Sequence, residues 1–388
     1  MVNEKSLAHP EKKRIGLLCM VAIVAVLFST LWPFNPWPVN QVTWLAQAKG
    51  IQFGHIGVVF SKGPLHLTTD SAAAKSCTLE LLLRPASVDI PDTILGFYVP
   101  ESPAHLLIRQ WTDGLLVTHN LVDSEGKIKR SKFDLDHAFQ AGKLQLLTIA
   151  SGPNGTTVYR NATRAQWFPK FTIDPSELSG QIVLGTSPVD YRPWLGEIRG
   201  LAIYSKELIP AEVSRHYAEW TAAGTAGPSD ADGVVARYAF SERTGREIHN
   251  DVATGPSLEI PEHFQVPHKA MLTSAAKEFE LNRVYIDDVL LNIAGFVPLG
   301  MILCAYFSLA RPRAQAIFYA TLVGGCLSFS IEVLQAYIPR RVSGTTDIIT
   351  NTLGALIGAA VARPDWIRNL MRAVRLLPAA NRVASPQD

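Results

Sequence analysis

The chain has 388 residues, of which 47% are hydrophobic and 18% are charged, and its formal net charge is +2. This length allows two or three domains, and a mean hydropathy of +0.12 is apolar for a purely soluble protein. The small net charge, with no Lys/Arg-rich block carrying interleaved aromatic residues, excludes nucleic acid as an expected partner.

The first predicted element is an apolar segment behind a basic N-terminus. Residues 15–32 carry no charge and follow the basic stretch KKR at 12–14. About 18 residues at 1.5 Å each nearly cross a hydrocarbon core of about 30 Å, so a transmembrane helix is predicted over 15–32, with 1–14 as a cytoplasmic N-terminus. A cleaved signal peptide is the alternative. The small-x-small site at 46–48 lies well beyond the apolar run, however, which favours an uncleaved anchor.

The next segment, residues 33–49, is rich in proline and tryptophan. Tryptophan is enriched at membrane–water interfaces. Trp32, Trp37 and Trp44 are therefore predicted to form an aromatic belt on the far side of the membrane, and 33–49 is interpreted as an interfacial segment.

From residue 50 to 223 the pattern changes to short apolar runs separated by Gly, Pro, Asp and Asn clusters. Examples are CTLELLLRP, HLLIRQW, GLLVTHNLV and GQIVLGT, and LQLLTIA and TTVYRNA flank the turn sequence SGPNG. Short runs with turn signals between them are typical of strands in an all-β sandwich, and the last two runs predict a hairpin.

The end of this region resembles the laminin-G-like, concanavalin-A-like jelly roll. The stretches that carry the resemblance are TTVYRNATRA and WLGEIRGLAIYSKELIPAEV, which match that family's hairpin, its closing strand and its short helix. The chain has Asn161 and Ala162 where a glycine is usual. The resemblance implies a jelly roll over 50–223 that binds a glycan or a protein, although a fold alone does not give a function.

The sandwich region offers no strong signal for a metal site or for catalysis. Asp70, Asp113 and Asp190 lie near predicted turns and are the candidates for a calcium site, but solvated turn aspartates are the more economical interpretation. No nucleophile, paired-carboxylate motif or histidine spacing of a metal site is visible. We expect no cofactor and no metal.

Residues 224–286 open with the linker GTAGPSDADG. The following YAFSERTGREIHN resembles the strand and turn that open a jelly roll of the same class. The segment either completes the sandwich or lies on it and returns the chain to the membrane, and the second alternative is favoured.

Three further apolar runs follow, at 289–309, 314–337 and 345–362, so 287–362 is predicted to hold transmembrane helices 2 to 4. Basic residues precede the first span, separate the second from the third, and follow the fourth in the tail, 363–388. The positive-inside rule then predicts a multi-pass protein of the plasma (inner) membrane, with both termini cytoplasmic and the sandwich extracytoplasmic.

Three motifs of the C-terminal part together resemble the VanZ-like family, named for a teicoplanin-resistance protein. They are DDVLLNIAGFVPLG at 287–300, SIEVLQAYIPRR at 330–341 and DIITNTLGALIG at 347–358, and LWPFNPWP resembles the segment after that family's first helix. The resemblance implies that the sandwich is inserted between the first and second helices of a four-helix transmembrane unit. Loops tolerate such additions.

The same motifs contain polar residues that are costly at membrane depth. Pairs spaced three or four apart share a helix face, and under the predicted topology all the pairs lie at the outer leaflet. The candidate ligand-binding residues are Asp288, Asn292, Glu332, Gln335, Arg340, Arg341, Asp347 and Asn351. The two arginines are predicted to neutralise the acidic residues or to bind a lipid phosphate.

A purely structural network is the alternative for these residues, with Asp347 as a helix cap and the asparagines bonding between helices. The favoured function is non-catalytic binding of a cell-wall or lipid-linked component, with the jelly roll contacting a glycan or an envelope protein. The resemblance adds a link to glycopeptide resistance. The alternative is a membrane-embedded enzyme acting on a lipid-linked precursor, with Glu332 or Asp347 as the base.

Overall fold

The structure is a computed structural model that describes residues 4–67, 75–89, 91–99, 105–122, 128–222, 227–228, 233–252, 255–279, 281–363, 366 and 369. Most of the predicted tail, 363–388, lies outside these residues, as does Asp70. The chain divides into two compact units. One is Trp37–Lys269, and the other combines Met1–Pro36 with Ala270–Asp388.

The helices and strands follow one another along the chain. In order they are α1 (Glu4–Leu31), β1 (Val42–Trp44), β2 (Ile51–Phe53), β3 (Val59–Ser61), β4 (Cys77–Pro85), β5 (Asp92–Tyr98), β6 (His105–Trp111), β7 (Gly114–Val122), β8 (Ile128–Leu135), β9 (Gln145–Gly152), β10 (Gly155–Arg160), β11 (Thr163–Phe168), a 3-10 helix (Pro175–Leu178), β12 (Gln181–Leu184), β13 (Gly196–Tyr204), α2 (Pro210–Thr221), β14 (Val234–Tyr238), β15 (Glu247–Ile248), β16 (Leu258–Glu259), α3 (Ala275–Glu278), α4 (Arg283–Ser308), α5 (Arg313–Ala336) and α6 (Thr345–Val361).

The first unit is an antiparallel β-sandwich. Within the described residues it has two sheets of eight strands, in the orders β1-β2-β13-β4-β9-β10-β11, with β14 also on β13, and β15-β16-β3-β12-β5-β6-β7-β8. Apolar side chains of both sheets meet in one core, including Leu81 and Ile198 from the first sheet and Phe97 and Ile108 from the second. The predicted all-β sandwich is thus present.

Strand β4 is buried along nearly its whole length because both of its faces are covered. Its inner face joins the core, and α2 packs on its outer face through Val213 and Trp220. Glu80 is fully buried there and accepts hydrogen bonds from Tyr204 Oη (2.8 Å) and Trp220 Nε1 (2.9 Å). A buried carboxylate is tolerated because its hydrogen bonds are made inside the protein.

The predicted hairpin forms between β9 and β10, with Gly152 opposite Gly155. The turn that follows β10 holds Asn161 and Ala162 at φ values of 50° and 64°. Two left-handed residues at a tight hairpin turn match the twist of the strands, and glycine is the residue that adopts such φ values at the lowest cost. Asn161 Oδ1 also accepts a hydrogen bond from the Leu146 N–H (2.9 Å).

The favoured prediction for 224–286, a segment that only lies on the sandwich and returns the chain to the membrane, is corrected here, because the strands of this segment complete the sandwich. β14 pairs with β13, and β16 pairs with β3 and carries β15. Tyr238, Phe240 and Leu258 are fully buried in the core, so the segment supplies apolar surface that the sheets need. The chain leaves this unit only at about residue 269.

The predicted interfacial segment 33–49 also contributes to the sandwich. β1 lies within it and pairs with β2, and Trp44 Nε1 donates a hydrogen bond to the Gly245 carbonyl (2.8 Å). Trp44 is therefore a residue of the sandwich edge, whereas Trp32 and Trp37 are largely exposed.

The second unit contains helices that pack around one apolar cluster. The cluster takes Ile15 and Cys19 from α1, Leu299 from α4, Ala320 from α5 and Ala355 from α6. In the described part of the chain, three helical stretches are long and apolar enough to cross a membrane, namely Lys12–Leu31, Arg283–Ser308 and Arg313–Ala336. α6 has 17 residues. At 1.5 Å per residue it measures about 25 Å, somewhat short of a hydrocarbon core of about 30 Å.

Helices α4 and α6 approach each other closely through glycines. A side chain at Gly354 would overlap the Ile293 carbonyl oxygen, and one at Gly358 would overlap that of Val297. Gly354 and Gly358, four residues apart, therefore make a contact face of small residues, as is common for helices that associate in a membrane.

Candidate functional site

The predicted polar residues gather mainly around the first turn of α6, which begins at Thr345. The backbone N–H groups of a first helical turn have no partner within the helix and carry partial positive charge, so they attract carboxylates. Glu332, on the last turns of α5, is only 1% exposed, and its Oε2 accepts the Gly344 N–H at 2.8 Å. Ser343 Oγ donates to the Glu332 carbonyl at 2.8 Å, which fixes the loop against α5.

A second carboxylate at this turn, Glu278 on α3, was not found from the sequence. Its Oε2 accepts both the Thr346 N–H (3.0 Å) and the Thr346 hydroxyl (2.6 Å). The backbone beside it is tied to the same loop, because the Thr345 N–H donates to the Thr273 carbonyl at 2.8 Å. Glu278 precedes Thr346 by 68 residues, and no local motif marks it as a cap.

Asp347 connects α6 to α4. Its Oδ1 accepts a hydrogen bond from Asn292 Nδ2 at 2.8 Å. The Asp347 and Glu332 carboxyl groups are close enough for their charges to act on each other. Asp288, one turn before Asn292, is exposed and close enough for its charge to act on Asp347. The first turn of α6 and the first turns of α4 therefore do converge, as the spacing predicted.

Asn351 lies one turn further into α6 and is buried. Its Nδ2 donates to Ser328 Oγ on α5 at 3.0 Å, while its Oδ1 has no hydrogen-bond partner in the described part of the chain. This contact fits the structural alternative, in which an asparagine bonds between helices.

Gln335 and Arg341 bond elsewhere, to the end of α1. Gln335 Nε2 donates to the Thr30 carbonyl at 3.0 Å, and Arg341 Nη2 donates to the Trp32 carbonyl at 2.8 Å. Arg340 has an exposed side chain. Within the described residues, the charges that act on Glu332 and Asp347 include those of two other carboxylates, Glu278 and Asp288.

These contacts separate the eight predicted residues into two groups. Glu332, Gln335, Arg341 and Asn351 make bonds that join helices or loops to one another. Asp288, Asn292 and Asp347, which we call the acidic face, are partly or fully exposed, and Arg340 is exposed as well. With two carboxylates and an amide, the acidic face offers acceptors mainly, which suits a ligand that brings N–H or O–H donors.

The described calcium candidates of the sandwich have protein partners. Asp113 Oδ2 lies 2.5 Å from His137 Nδ1, and this hydrogen bond raises the pKa of His137. Asp190 forms an ion pair with Arg192 (3.3 Å). Among the described residues, no group of three or more His, Cys, Asp or Glu side chains is arranged to hold a metal ion.

A comparison with protein families matched residues 236–369 to the family VanZ/LLP1. The match covers the three C-terminal motifs, so the predicted resemblance is confirmed for this part of the chain. A comparison with curated protein sequences found no significant match.

Several solved structures resemble part of the chain. A proposed carbohydrate-binding protein from Bacteroides ovatus is 14% identical, with a TM-score of 0.33, and the match covers 54% of this chain and 62% of that one. The receptor-binding domain of botulinum neurotoxin D is 18% identical (TM-score 0.32, 46% of each chain). A carbohydrate-binding module of a Ruminococcus gnavus sialidase, solved with sialyllactose, is 14% identical (TM-score 0.31, 43% and 95%). The match spans less than two thirds of the length of the first two structures. Similarities with TM-scores this low carry no argument about ligands.

Proposed function

We propose that this VanZ-like membrane protein works in the cell envelope, where it binds a cell-wall or lipid-linked component without transforming it. The observation that carries the proposal is the acidic face beside the first turn of α6. Asp288 is exposed there, and Asp347 keeps one oxygen on Asn292 while remaining only partly buried. Polar groups at the edge of membrane helices are costly unless they serve pairing or function, and Asp288 makes no hydrogen bond within the described residues.

The chemistry of the face favours one part of such a component. Carboxylates bind hydroxyl, amide and ammonium donors by charge-assisted hydrogen bonds. Among the described residues, the charges that act on Asp347 include those of the carboxylates Glu278 and Asp288, so a phosphate is disfavoured at this position. We therefore assign the acidic face to the sugar hydroxyls or peptide donors of the component. Arg340, which is exposed, is the remaining candidate for an anionic group.

The proposed topology brings both units to the same compartment. Basic residues flank α1 at its start, lie between α4 and α5, and follow α6, so the positive-inside rule makes these ends cytoplasmic if α6 also spans the membrane. The sandwich and the loop before α6 then both lie outside, in a plasma-membrane protein whose two termini are cytoplasmic. In this arrangement the sandwich contacts a glycan or protein of the envelope, and glycopeptide resistance would follow from sequestering a cell-wall component.

The test is binding of soluble muropeptides to the full-length protein in lipid nanodiscs. We expect the double variant Asp288→Asn with Asp347→Asn to bind at least about tenfold more weakly, because charge-assisted bonds become neutral ones. The variant amide at 347 can still accept the Asn292 bond, so the fold is preserved. The matched control is Asp287→Asn, since Asp287 is exposed and pairs only loosely with Arg283 (3.8 Å).

Equal binding by the double variant and the control would contradict the proposal. Turnover of a lipid-linked precursor that disappears in the double variant would instead favour the alternative, a membrane-embedded enzyme. In that alternative Glu332, which is only 1% exposed, or Asp347 would act as the base.

A further inference from the structure

A cavity of about 480 Å³ opens at one end of the β-sandwich, among residues that sequence reasoning did not single out. Its walls come from the β2–β3 loop, the β4–β5 loop, the ends of β5 and β6, and the loop before β13. The residues that matter below are His55, Asp92, Gln110, Tyr191, Arg192 and Trp194. The volume lies within the range of about 300–1,000 Å³ typical of small-molecule sites.

The residues at the base of the cavity are buried and hydrogen-bonded to one another. Trp194 and Gln110 are 1% and 2% exposed, and Trp194 Nε1 donates to Gln110 Oε1 at 2.8 Å. Gln110 Nε2 in turn donates to the Ser87 carbonyl at 2.7 Å. Backbone hydrogen bonds join the loop to β5 and to the β4–β5 loop, from the Thr93 N–H to the Arg192 carbonyl and from the Ala86 N–H to the Leu195 carbonyl. The cavity is thus pre-formed, which lowers the entropic cost of binding.

Asp92 is the unusual group in this cavity. It is half-buried and lines the cavity wall, and its carboxylate makes no hydrogen bond to any described residue. Burial raises the pKa of Asp92 to about 6, although the nearby Arg192 guanidinium acts to lower it. Burial removes part of the hydration of this carboxylate, and the charge of Arg192 offsets that loss only in part, so a ligand that supplies hydrogen-bond donors would bind it favourably.

The other charged groups around Asp92 leave the cavity close to neutral. Arg192 bonds Asp190 through its Nε at 3.3 Å, and Asp190 also faces Arg109 from β6 at 3.8 Å. His55 faces the cavity from the β2–β3 loop and is exposed. One carboxylate balanced by one arginine favours a neutral ligand with several hydroxyl groups over an anion or a dication.

We propose that this cavity is a saccharide subsite, in which the Asp92 carboxylate accepts hydrogen bonds from neighbouring hydroxyl groups of one neutral sugar residue while Tyr191 provides an apolar wall. The inference rests on the proposed function, since it gives the sandwich's glycan contact a position and a chemical class. Because the anionic form of Asp92 is the better acceptor, binding is fully developed above pH 7 and weakens as the pH falls through 6.

The experiment titrates the full-length protein in nanodiscs with four neutral disaccharides: chitobiose, cellobiose, maltose and lactose. Nanodiscs are used because the sugar head groups of maltoside detergents would compete with the disaccharides for the cavity. We expect saturable binding of at least one disaccharide, a loss of roughly 10- to 100-fold in Asp92→Asn, and a smaller loss in His55→Gln. Replacing His55 should leave the sandwich folded, because its side chain is exposed. The control Glu262→Gln, whose exposed side chain pairs with Arg246, should bind like the parent protein.

Two results would overturn the subsite. One is that none of the disaccharides binds the parent protein, and the other is that Asp92→Asn binds as tightly as the control. Muropeptide binding that depends on Asp288 and Asp347 would in either case leave the proposed function standing. The opposite pattern is also informative. If disaccharide binding depends on Asp92 but muropeptide binding is unchanged in the Asp288/Asp347 double variant, the subsite is supported and the proposed function is contradicted.

Discussion

Single side chains from distant parts of the chain hold the start of α6. Glu332 binds the Gly344 N–H and Glu278 binds Thr346, so two carboxylates from outside the helix cover its first turn. Each bond satisfies an N–H that the helix itself leaves open, and each sets an acidic side chain at the positive end of the helix dipole. Two acidic side chains are thus fixed beside the acidic face.

At the scale of single residues, the prediction concerns Glu278. Replacing Glu278 with alanine removes the acceptor for the Thr346 N–H and hydroxyl, and we expect a loss of about 1–2 kcal/mol, as for other helix caps. The measurement is the temperature at which the detergent-solubilised protein loses its monodisperse size-exclusion peak. The control Asp287→Ala removes an exposed carboxylate nearby and should leave that temperature unchanged. An unchanged temperature for Glu278→Ala would show that the cap contributes nothing.

Sequence spacing predicted the residues of the acidic face but not their partners. The spacing of four between Asp288 and Asn292 puts both on one side of α4. The predicted topology placed Asp347 at the same leaflet. The contact of Arg341 was not anticipated, because its side chain reaches the Trp32 carbonyl at the end of α1, which no local pattern indicates. Glu278 was missed for the same reason, since its contact depends on how a loop folds back.

At the scale of elements, the α4–α6 contact depends on the absence of side chains. Gly354 and Gly358 let the α6 backbone lie against the carbonyl oxygens of α4, and Gly300 on α4 lies equally close to the Ala355 carbonyl. Backbones at this distance gain dispersion and weak polar contacts that side chains would prevent. The position of Asp347 relative to Asn292 follows directly from this packing.

The element-scale prediction uses one pair of glycine variants. Gly358→Ala places a methyl group against the Val297 carbonyl and should destabilise the helix pair by about 1–3 kcal/mol, as overpacking does elsewhere. Gly295→Ala on α4 meets nothing within 4 Å and serves as the matched control. Thermal stability of the two variants in the same detergent decides the matter. If both melt alike, the close approach is not structurally important.

The elements themselves were largely predictable, because strand and helix patterns are local. The hydrophobic runs marked β4, β7, β9 and β13, and the apolar spans matched α4, α5 and α6 within about six residues. The strands β14 to β16 were assigned to a return segment because β15 and β16 have only two residues each and join the sheet through β3, which lies far away in sequence. Such pairing has no local signature, so tertiary contacts decided their role.

At the scale of the whole molecule, a β-sandwich and a set of apolar helices lie in one chain, and the proposed function requires that they serve one compartment. The family match covers the C-terminal helices and begins at residue 236, within the last strands of the sandwich unit.

Cysteine labelling in spheroplasts tests this requirement most directly. In a Cys326→Ser background, which removes the one exposed native cysteine among those described, single cysteines would be introduced as Ile209→Cys on the sandwich, Val342→Cys before α6 and Ala310→Cys between α4 and α5. We expect a membrane-impermeant maleimide to label the first two in intact spheroplasts and the third only after permeabilisation. Protection of the Val342→Cys variant alongside labelling of the Ile209→Cys variant would contradict the account.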